Sequence, residues 1–335
     1  MLDVTVVVPC RNEKNFVGVF DQIIKETNKS VRAEFLFVDG LSDDGTPGLI
    51  QVLISKYGNV RLIENKDRTT PQALNLGIDA ARGKFICRMD CHSHYPRDYV
   101  EQLYVKFQKF QKIHPDMANL GGIVKTLPRR RHPFSQAVSE VLSSNFGVGG
   151  SVFRTLDESS GVLIDVDTVP FGFFRLETLR QIGGFDEDMV KNQDDHLNAA
   201  LIAAGYKVKC DPSIVIEYYP RDRIGEIWRM FFNYGFYKPL SVFKLRHLPT
   251  LRQLVPGGFV LYLLSTPVAF SLLDANLFYL YLIPFYIYVL LLAFASGNLL
   301  SPWLYLCKMT VFPLVHTSYG LGYLIGVFRW IRSVK

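Results

Sequence analysis

Apolar and polar positions along this 335-residue chain change rhythm partway through. In the first third, short apolar runs alternate with stretches of helical spacing. Residues 4–8, 34–38, 60–63 and 85–89 read as buried strands, and residues 15–25, 46–56 and 70–81 as the helices between them. Thr70 as N-cap followed by Pro71 gives the third helix a clear start. Such alternation predicts a parallel sheet with helices on both faces. Residues 119–125 and 166–174 add further strand-like runs, and Leu197, Ala200 and Leu201 follow at helical spacing. The glycines at 147–150 and 161 predict a mobile loop.

Later the rhythm disappears. Between Phe259 and Phe328 the only Asp, Glu, Lys or Arg residues are Asp274 and Lys308. Membrane spans are predicted near 257–273, 277–295 and 303–328, kinked at Pro267, Pro284 and Pro313. Gly322-x-x-x-Gly326 would give the third a close-packing face, and Lys308 and His316 keep it from being a plain lipid-facing helix. Hydrophobic residues make up 49% of the chain and charged ones 20%, an average over two unlike halves.

The net charge of +6 is also localised. From Arg221 to Arg252, seven Lys and Arg residues face Asp222 and Glu226, a local balance of +5. Just before apolar spans, such a patch fits anionic lipid on a cytoplasmic membrane face better than nucleic acid. Aromatic residues interleave with the cations over 223–244, as in an amphipathic segment lying in the interface. The expected organisation is a soluble domain over 1–220, a basic interfacial segment over 221–253 and a transmembrane region over 254–335. Arg329, Arg332 and Lys335 place the C-terminus on the cytoplasmic side. An even number of crossings follows, with the 303–328 region re-entrant, interfacial or split at Pro313. The first residues read as a strand, without a basic n-region or cleavage site. The five cysteines lack zinc spacing and fit reduced thiols in a cytosolic domain.

Polar residues collect after the strands: Pro9-Cys10-Arg11-Asn12-Glu13, then Asp39 through Thr46, then Asn65-Lys66-Asp67-Arg68, then Asp90 and His92. A parallel sheet brings all four turns to one edge, where open α/β sheets bind ligands. Asp90 and His92 stand at i and i+2 and so point to one side, with a divalent cation able to sit between them. Arg129-Arg130-Arg131-His132 reads as a solvated loop or, alternatively, as a contact for a lipid-linked pyrophosphate. Asp194 and Asp195 open a helix, where carboxylates are stabilised as anions.

These turns, with Val38-Asp39-Gly40-x-Ser42-x-Asp44-Gly45-Thr46, Ala73-Leu74-Asn75-x-Gly77, Met89-Asp90-x-His92, Gly183-Gly184-Phe185-Asp186-Glu187 and Gln193-Asp194-Asp195-His196-Leu197, resemble the family 2 glycosyltransferases over roughly residues 3–220. Asp90-x-His92-Ser93-x-Tyr95-Pro96, Val169-Pro170-Phe171-Gly172 and the run from Leu251 to Pro256 resemble the bacterial exopolysaccharide branch, of the succinoglycan glucosyltransferase type. The resemblance implies a GT-A fold followed by a helical membrane region. It implies that Pro9, Arg11, Asn12 and Glu13 line the base and ribose of a nucleotide sugar, that Asp39 bonds the uracil or ribose, and that Arg68 lies near the base or phosphates. Asp90 would open the metal motif, holding Mn²⁺ or Mg²⁺. His92, where many members have a second Asp, suits Mn²⁺ better, or donates directly to a phosphate. The base would be Asp194, three positions before Leu197, with Gln193 where Glu is usual. Phe171, Gly172 and Asp195 are acceptor-pocket candidates.

The implied activity is that of a membrane-anchored inverting hexosyltransferase in the cytoplasmic (inner) membrane. It would move glucose from UDP-glucose to a polyprenyl-diphosphate-linked saccharide, beside other polysaccharide-assembly enzymes and without nucleic acid. Its rivals are a processive synthase, whose Gln-x-x-Arg-Trp motif is not evident, and an inactive scaffold, which the presence of Asp39, Asp90 and Asp194 disfavours.

Overall fold

The computed structural model describes residues 2–246, 249–297 and 301–331. In chain order it begins with β1 (Leu2–Cys10), α1 (Phe20–Thr27), β2 (Ala33–Asp39), α2 (Thr46–Lys56), β3 (Val60–Glu64), α3 (Thr70–Ala80), β4 (Gly83–Arg88), α4 (Tyr99–Gln111) and β5 (Met117–Thr126). Three short helices follow, α5 (Pro133–Leu142), α6 (Asn145–Val148) and α7 (Val152–Thr155). Then come β6 (Ile164–Asp165), β7 (Phe173–Arg175), α8 (Leu176–Gln181), α9 (Gln193–Ala203) and β8 (Lys207–Tyr218). The remainder is helical: α10 (Ile224–Leu245), α11 (Leu251–Leu272), α12 (Ala275–Tyr281), α13 (Ile283–Ser296) and α14 (Pro302–Trp330).

One mixed sheet runs β3-β2-β1-β4-β7-β5-β8-β6. Its first four strands are parallel, as the alternation predicts, and β7 lies antiparallel between β4 and β5. Every residue of β2 is buried, the pattern of a strand covered on both faces. A side chain at Gly77 would collide with Val7, so α3 crosses β1 at a distance that only glycine permits. Of the single strand expected over 166–174 only the end is strand, in β7, while β6 stops before it at Asp165. Pro170 has no N–H to give a ladder, and Phe171 turns the chain at φ 52°.

The chain forms two compact units, one of residues 1–125 and 156–218, the other of residues 126–155 and 219–335. Residues 126–155 thus belong with the C-terminal helices and not with the sheet. The cause is the apolar face of α5: Ala137, Val138, Val141 and Leu142 share one buried cluster with Ile227 and Phe231 of α10 and Val311, Phe312 and Val315 of α14. Of the loop expected at 147–150, Gly147 and Val148 are the end of α6, while Gly149 and Gly150, at φ 63° and 72°, form the turn to α7.

Within this second unit, three stretches are long and apolar enough to cross a membrane: Leu251–Leu272, Ala275–Ser296 and Pro302–Trp330. At about 1.5 Å per residue each exceeds the ~30 Å of a hydrocarbon core. Only Pro284 coincides with a helix break, just after α12 ends. Pro267 and Pro313 lie inside continuous helices, so α14 is not split at Pro313. Gly322 and Gly326 pack on the backbone of α10 at Phe232 and Phe236, while Gly320 packs on Pro256 of α11. The small residues of α14 therefore serve two neighbours.

Candidate active site

Pro9, Arg11 and Glu13 after β1, Gly40 after β2, Asn65 and Arg68 after β3, and Asp90 and His92 after β4 line one cleft. Its walls are held by bonds between turns. The Asn12 backbone N–H donates to Ser42 Oγ at 2.8 Å, Asp43 N–H donates to Asn12 Oδ1 at 3.0 Å, and Glu13 N–H donates to Thr46 Oγ1 at 2.8 Å. Asp39 is 5% exposed and accepts from the Ser42 backbone N–H at 2.9 Å. Asn12 and Asp39 thus brace the cleft from behind and are not among its lining residues. Asn12, Leu41 and Arg68, which follow β1, β2 and β3, all have φ between 57° and 62°. Left-handed backbone at non-glycine residues is uncommon, and it gathers here at one sheet edge.

The last strand end carries the charge. The Asp90 N–H donates to the Tyr95 hydroxyl at 2.8 Å, and burial pushes that phenol well above its ordinary pKa. Tyr95 is therefore structural support for the motif. His92 Nδ1 lies 3.2 Å from Glu13 Oε1, and this carboxylate raises the imidazole pKa. A carboxylate on one ring nitrogen fixes the ring, so that Nε2 is the atom that would meet a ligand. Asp194 stands in the first turn of α9, after Asn192 at φ 61°. A guanidinium joins it to Asp90: Arg88 NH2 donates to Asp90 Oδ1 and Oδ2 at 3.1 and 3.2 Å, and Arg88 NH1 donates to Asp194 Oδ1.

Phe171 and Gly172 are both buried. A side chain at Gly172 would collide with Asn119, so this glycine is a packing position. Phe171 stays near the chemistry, with Arg88 Cζ 5.8 Å from its ring centroid. Asp195 is half-buried in the first turn of α9, beside Asp194. Sequence reasoning left two site residues without a role. Asn75 exchanges bonds of 2.8 Å with the backbone of Phe185 and so ties the third helix to the Gly183–Glu187 motif. Arg88 is the other; its signal was its i, i+2 spacing from Asp90.

Among the described residues no group of three or more His, Cys, Asp and Glu side chains could hold a metal. Asp90 and His92 still fit a cation bound mainly through a nucleotide diphosphate, since such ions take one or two protein ligands and complete their shell with phosphate oxygens. The mixed oxygen and imidazole set favours Mn²⁺ over Mg²⁺.

Residues 5–155 match the family model for glycosyl transferase family 2. Over that stretch the chain is similar to the family 2 glycosyltransferases. Over 284 residues it is 26% identical to the succinoglycan biosynthesis protein ExoA of Rhizobium meliloti (strain 1021), covering 83% of this chain and 80% of that protein. It is 27% identical over 266 residues to a Methanococcus voltae enzyme, the dolichyl N-acetyl-alpha-D-glucosaminyl phosphate 3-beta-D-2,3-diacetamido-2,3-dideoxy-beta-D-glucuronosyltransferase, covering 78% of this chain and 80% of that one. Among solved structures, the mannosyltransferase PcManGT from Pyrobaculum calidifontis, in complex with GDP-Man and Mn²⁺, superposes with a TM-score of 0.61. That match has 18% identity and covers 98% of this chain and 90% of that chain, and it establishes the GT-A fold. The chain is thus similar to proteins of succinoglycan and lipid-linked sugar assembly, and its C-terminal helices are long and apolar enough to cross a membrane.

Proposed function

We propose that this protein is a family 2 glycosyltransferase, a metal-dependent, inverting hexosyltransferase. Its donor is UDP-glucose and its acceptor a polyprenyl-diphosphate-linked saccharide, extended during exopolysaccharide or capsule assembly beside other enzymes of that process. The cleft carries this reading: Arg11, Glu13, Arg68, Asp90 and His92 gather at the carboxyl ends of four parallel strands. In it, Arg11 and Glu13 hold the base and ribose, Asp39 supports that pocket, and Arg68 meets the phosphates. Asp194 takes the proton from the acceptor hydroxyl, which then attacks C1 from the face opposite the nucleotide. A divalent cation on Asp90 and His92 would neutralise the departing diphosphate as a Lewis acid.

The second unit supports the acceptor and the location in this reading. Arg130, Arg131, His132 and Ser135 line a cavity beside Ile224, at the start of the basic α10. Arg130 is engaged by Asp222 at 2.7 and 2.8 Å, which leaves Arg131 and His132 as the groups to meet a lipid diphosphate. The protein is placed in the cytoplasmic membrane with its sheet unit on the cytoplasmic side, where UDP-sugars are made.

The test is a panel of UDP- and GDP-sugars offered to the purified full-length protein with a lipid-linked acceptor, with Mn²⁺, Mg²⁺ or EDTA. UDP-glucose with Mn²⁺ should give the fastest transfer. Faster transfer from GDP-mannose, or undiminished transfer in EDTA, would reject the donor or the metal.

A further inference from the structure

Arg88 is the last residue of β4, paired in register with Val7, and only 2% of it is exposed. A guanidinium taken so far from water must be matched by anions, since an unpaired buried charge is strongly destabilising. Here two carboxylates from distant parts of the chain match it. Nε and NH2 engage Asp90, two residues on, and NH1 engages Asp194, at the start of α9. The rings of Phe171 and Phe185 lie 5.8 and 6.0 Å from Cζ and hold the group in place. Guanidinium is planar and its five N–H groups form a fixed fork, so two anions bound to one fork are held at a set angle to each other. Lysine, a point charge on a flexible stem, lacks that property.

We propose that Arg88 is a positioning residue for sugar transfer, a rigid bridge that sets the base Asp194 against the donor-binding Asp90. This rests on the roles given to those two carboxylates above. Without the bridge the two anions would repel each other, and Asp194 would lose its aim at the acceptor hydroxyl. A misplacement of about 1 Å is enough to cost roughly 10²-fold in rate. The bridge also has an opposite effect on the cation. Both Asp90 oxygens already accept from Arg88, and its positive charge repels a divalent ion nearby. Removing Arg88 should therefore strengthen cation binding while slowing transfer, a pairing that general damage to the site would not produce.

The experiment uses full-length protein in detergent and compares Arg88→Met, Arg88→Lys, Asp194→Asn and the double variant Arg88→Met/Asp194→Asn. Free Mn²⁺ is read by electron paramagnetic resonance with and without UDP, turnover as UDP released from UDP-glucose, and folding by circular dichroism. Arg88→Met should bind Mn²⁺ about three- to tenfold more tightly and turn over about 10²-fold more slowly. Arg88→Lys should restore Mn²⁺ affinity to near that of the unmodified protein but leave turnover low, because charge returns and the fork does not. Adding Arg88→Met to Asp194→Asn should cost less than threefold more, since a residue acting through the base has nothing left to position. Full turnover in either single Arg88 variant, weaker Mn²⁺ binding in Arg88→Met, or full additivity in the double variant would overturn the proposal. If Arg88→Met does not fold, the lysine variant decides alone: turnover within threefold of the unmodified protein rejects the bridge. Normal turnover in Asp194→Asn would instead remove the assigned base, and the Mn²⁺ result would still report on the Arg88–Asp90 pair.

Discussion

The two units of this protein bury opposite things. In the sheet unit Val4, Val6, Val7 and Val8 of β1 are fully buried, and charge is concentrated where the parallel strands end. In the helical unit the most apolar stretch is the most exposed: of the Ala275–Ser296 stretch only 6% is buried. Beside the apolar cluster under α5, that unit hides glycine, at 235, 320, 322 and 326, where helix backbones touch. One core is driven by water. The other adds close backbone contact between helices, which small residues permit. The units also differ in what a charge does: it organises the edge of the sheet, and in the helical unit we expect it to decide which helices enter the membrane.

That last point separates α14 from the other apolar helices. Phe232 meets Gly322 and Phe236 meets Gly326, so α10 and α14 run side by side in the same direction. Lys308 of α14 is also paired with Glu140 of α5 at 2.8 Å. If α14 crossed the bilayer it would draw α10 in with it, and α10 carries Glu226, Arg229, Lys238 and Lys244. Each such charge costs about 2.5–3.5 kcal/mol at the bilayer centre by insertion scales. By contrast α11 and the α12–α13 stretch pair with each other, Tyr262 stacking on Tyr281 at 4.9 Å and Phe259 lying 4.3 Å from Tyr288. We expect those two to cross as a hairpin while α10 and α14 lie in the interface. The effect is all or none: a reporter fused after Lys335 should stay on the cytoplasmic side. Activity of a periplasmic reporter there would mean that α14 is a true span.

The next largest effect belongs to the sheet edge. Asp194→Asn keeps the shape of the side chain but takes no proton at neutral pH. Transfer should fall by about 10²–10⁴-fold while UDP affinity, set at the other strand ends, changes little. Asp195→Asn should be much milder. Loss of transfer in Asp195→Asn with an active Asp194→Asn would shift the base by one residue, and loss of UDP binding in both would move the pair to the donor site.

How much of this was legible in the sequence depended on whether the signal was local. The first four strands are periodic, and the turns after them carry their own Gly, Asp and Asn, so that edge could be read residue by residue. The aromatic and cationic mixture of 223–244 is local in the same way, and that stretch forms the continuous helix α10. Three things were not. The allegiance of 126–155 depends on which surface the apolar face of α5 meets, which its own residues do not state. The break at Phe171 is made by one left-handed residue in an otherwise strand-like run. The link from Arg88 to Asp194 spans 106 positions and exists only once the sheet and α9 are assembled.

Smaller effects should come from the buried glycines. A methyl group at Gly322 or Gly326 would collide with the Phe232 or Phe236 carbonyl, whereas at Gly258 it would meet nothing within 4 Å. Gly322→Ala and Gly326→Ala should each destabilise the helical unit by about 1–3 kcal/mol, as overpacking does, and Gly258→Ala should leave it unchanged. Thermal unfolding in one detergent, followed by circular dichroism, gives the comparison. Equal melting of all three variants would mean that α10 and α14 are not in backbone contact.

The smallest effect is a pH dependence at the basic cavity, where the second unit relies on a charge pair as the sheet unit does. Asp222 is 7% exposed, and its hydrogen bonds to Arg130 hold its carboxyl below the usual range. A depressed carboxylate pKa stabilises the folded state fully above the unfolded value, near 3.9, and that contribution disappears as pH falls through the folded value. Arg130 is largely exposed, so solvent screens the pair and the contribution is modest. Arg130→Met should lower the melting temperature slightly at pH 7, and the gap from the unmodified protein should close as pH falls through the lowered value of Asp222, once it is protonated in both. A gap that persists undiminished at low pH would show that Arg130 stabilises the cavity through its packing and not through Asp222.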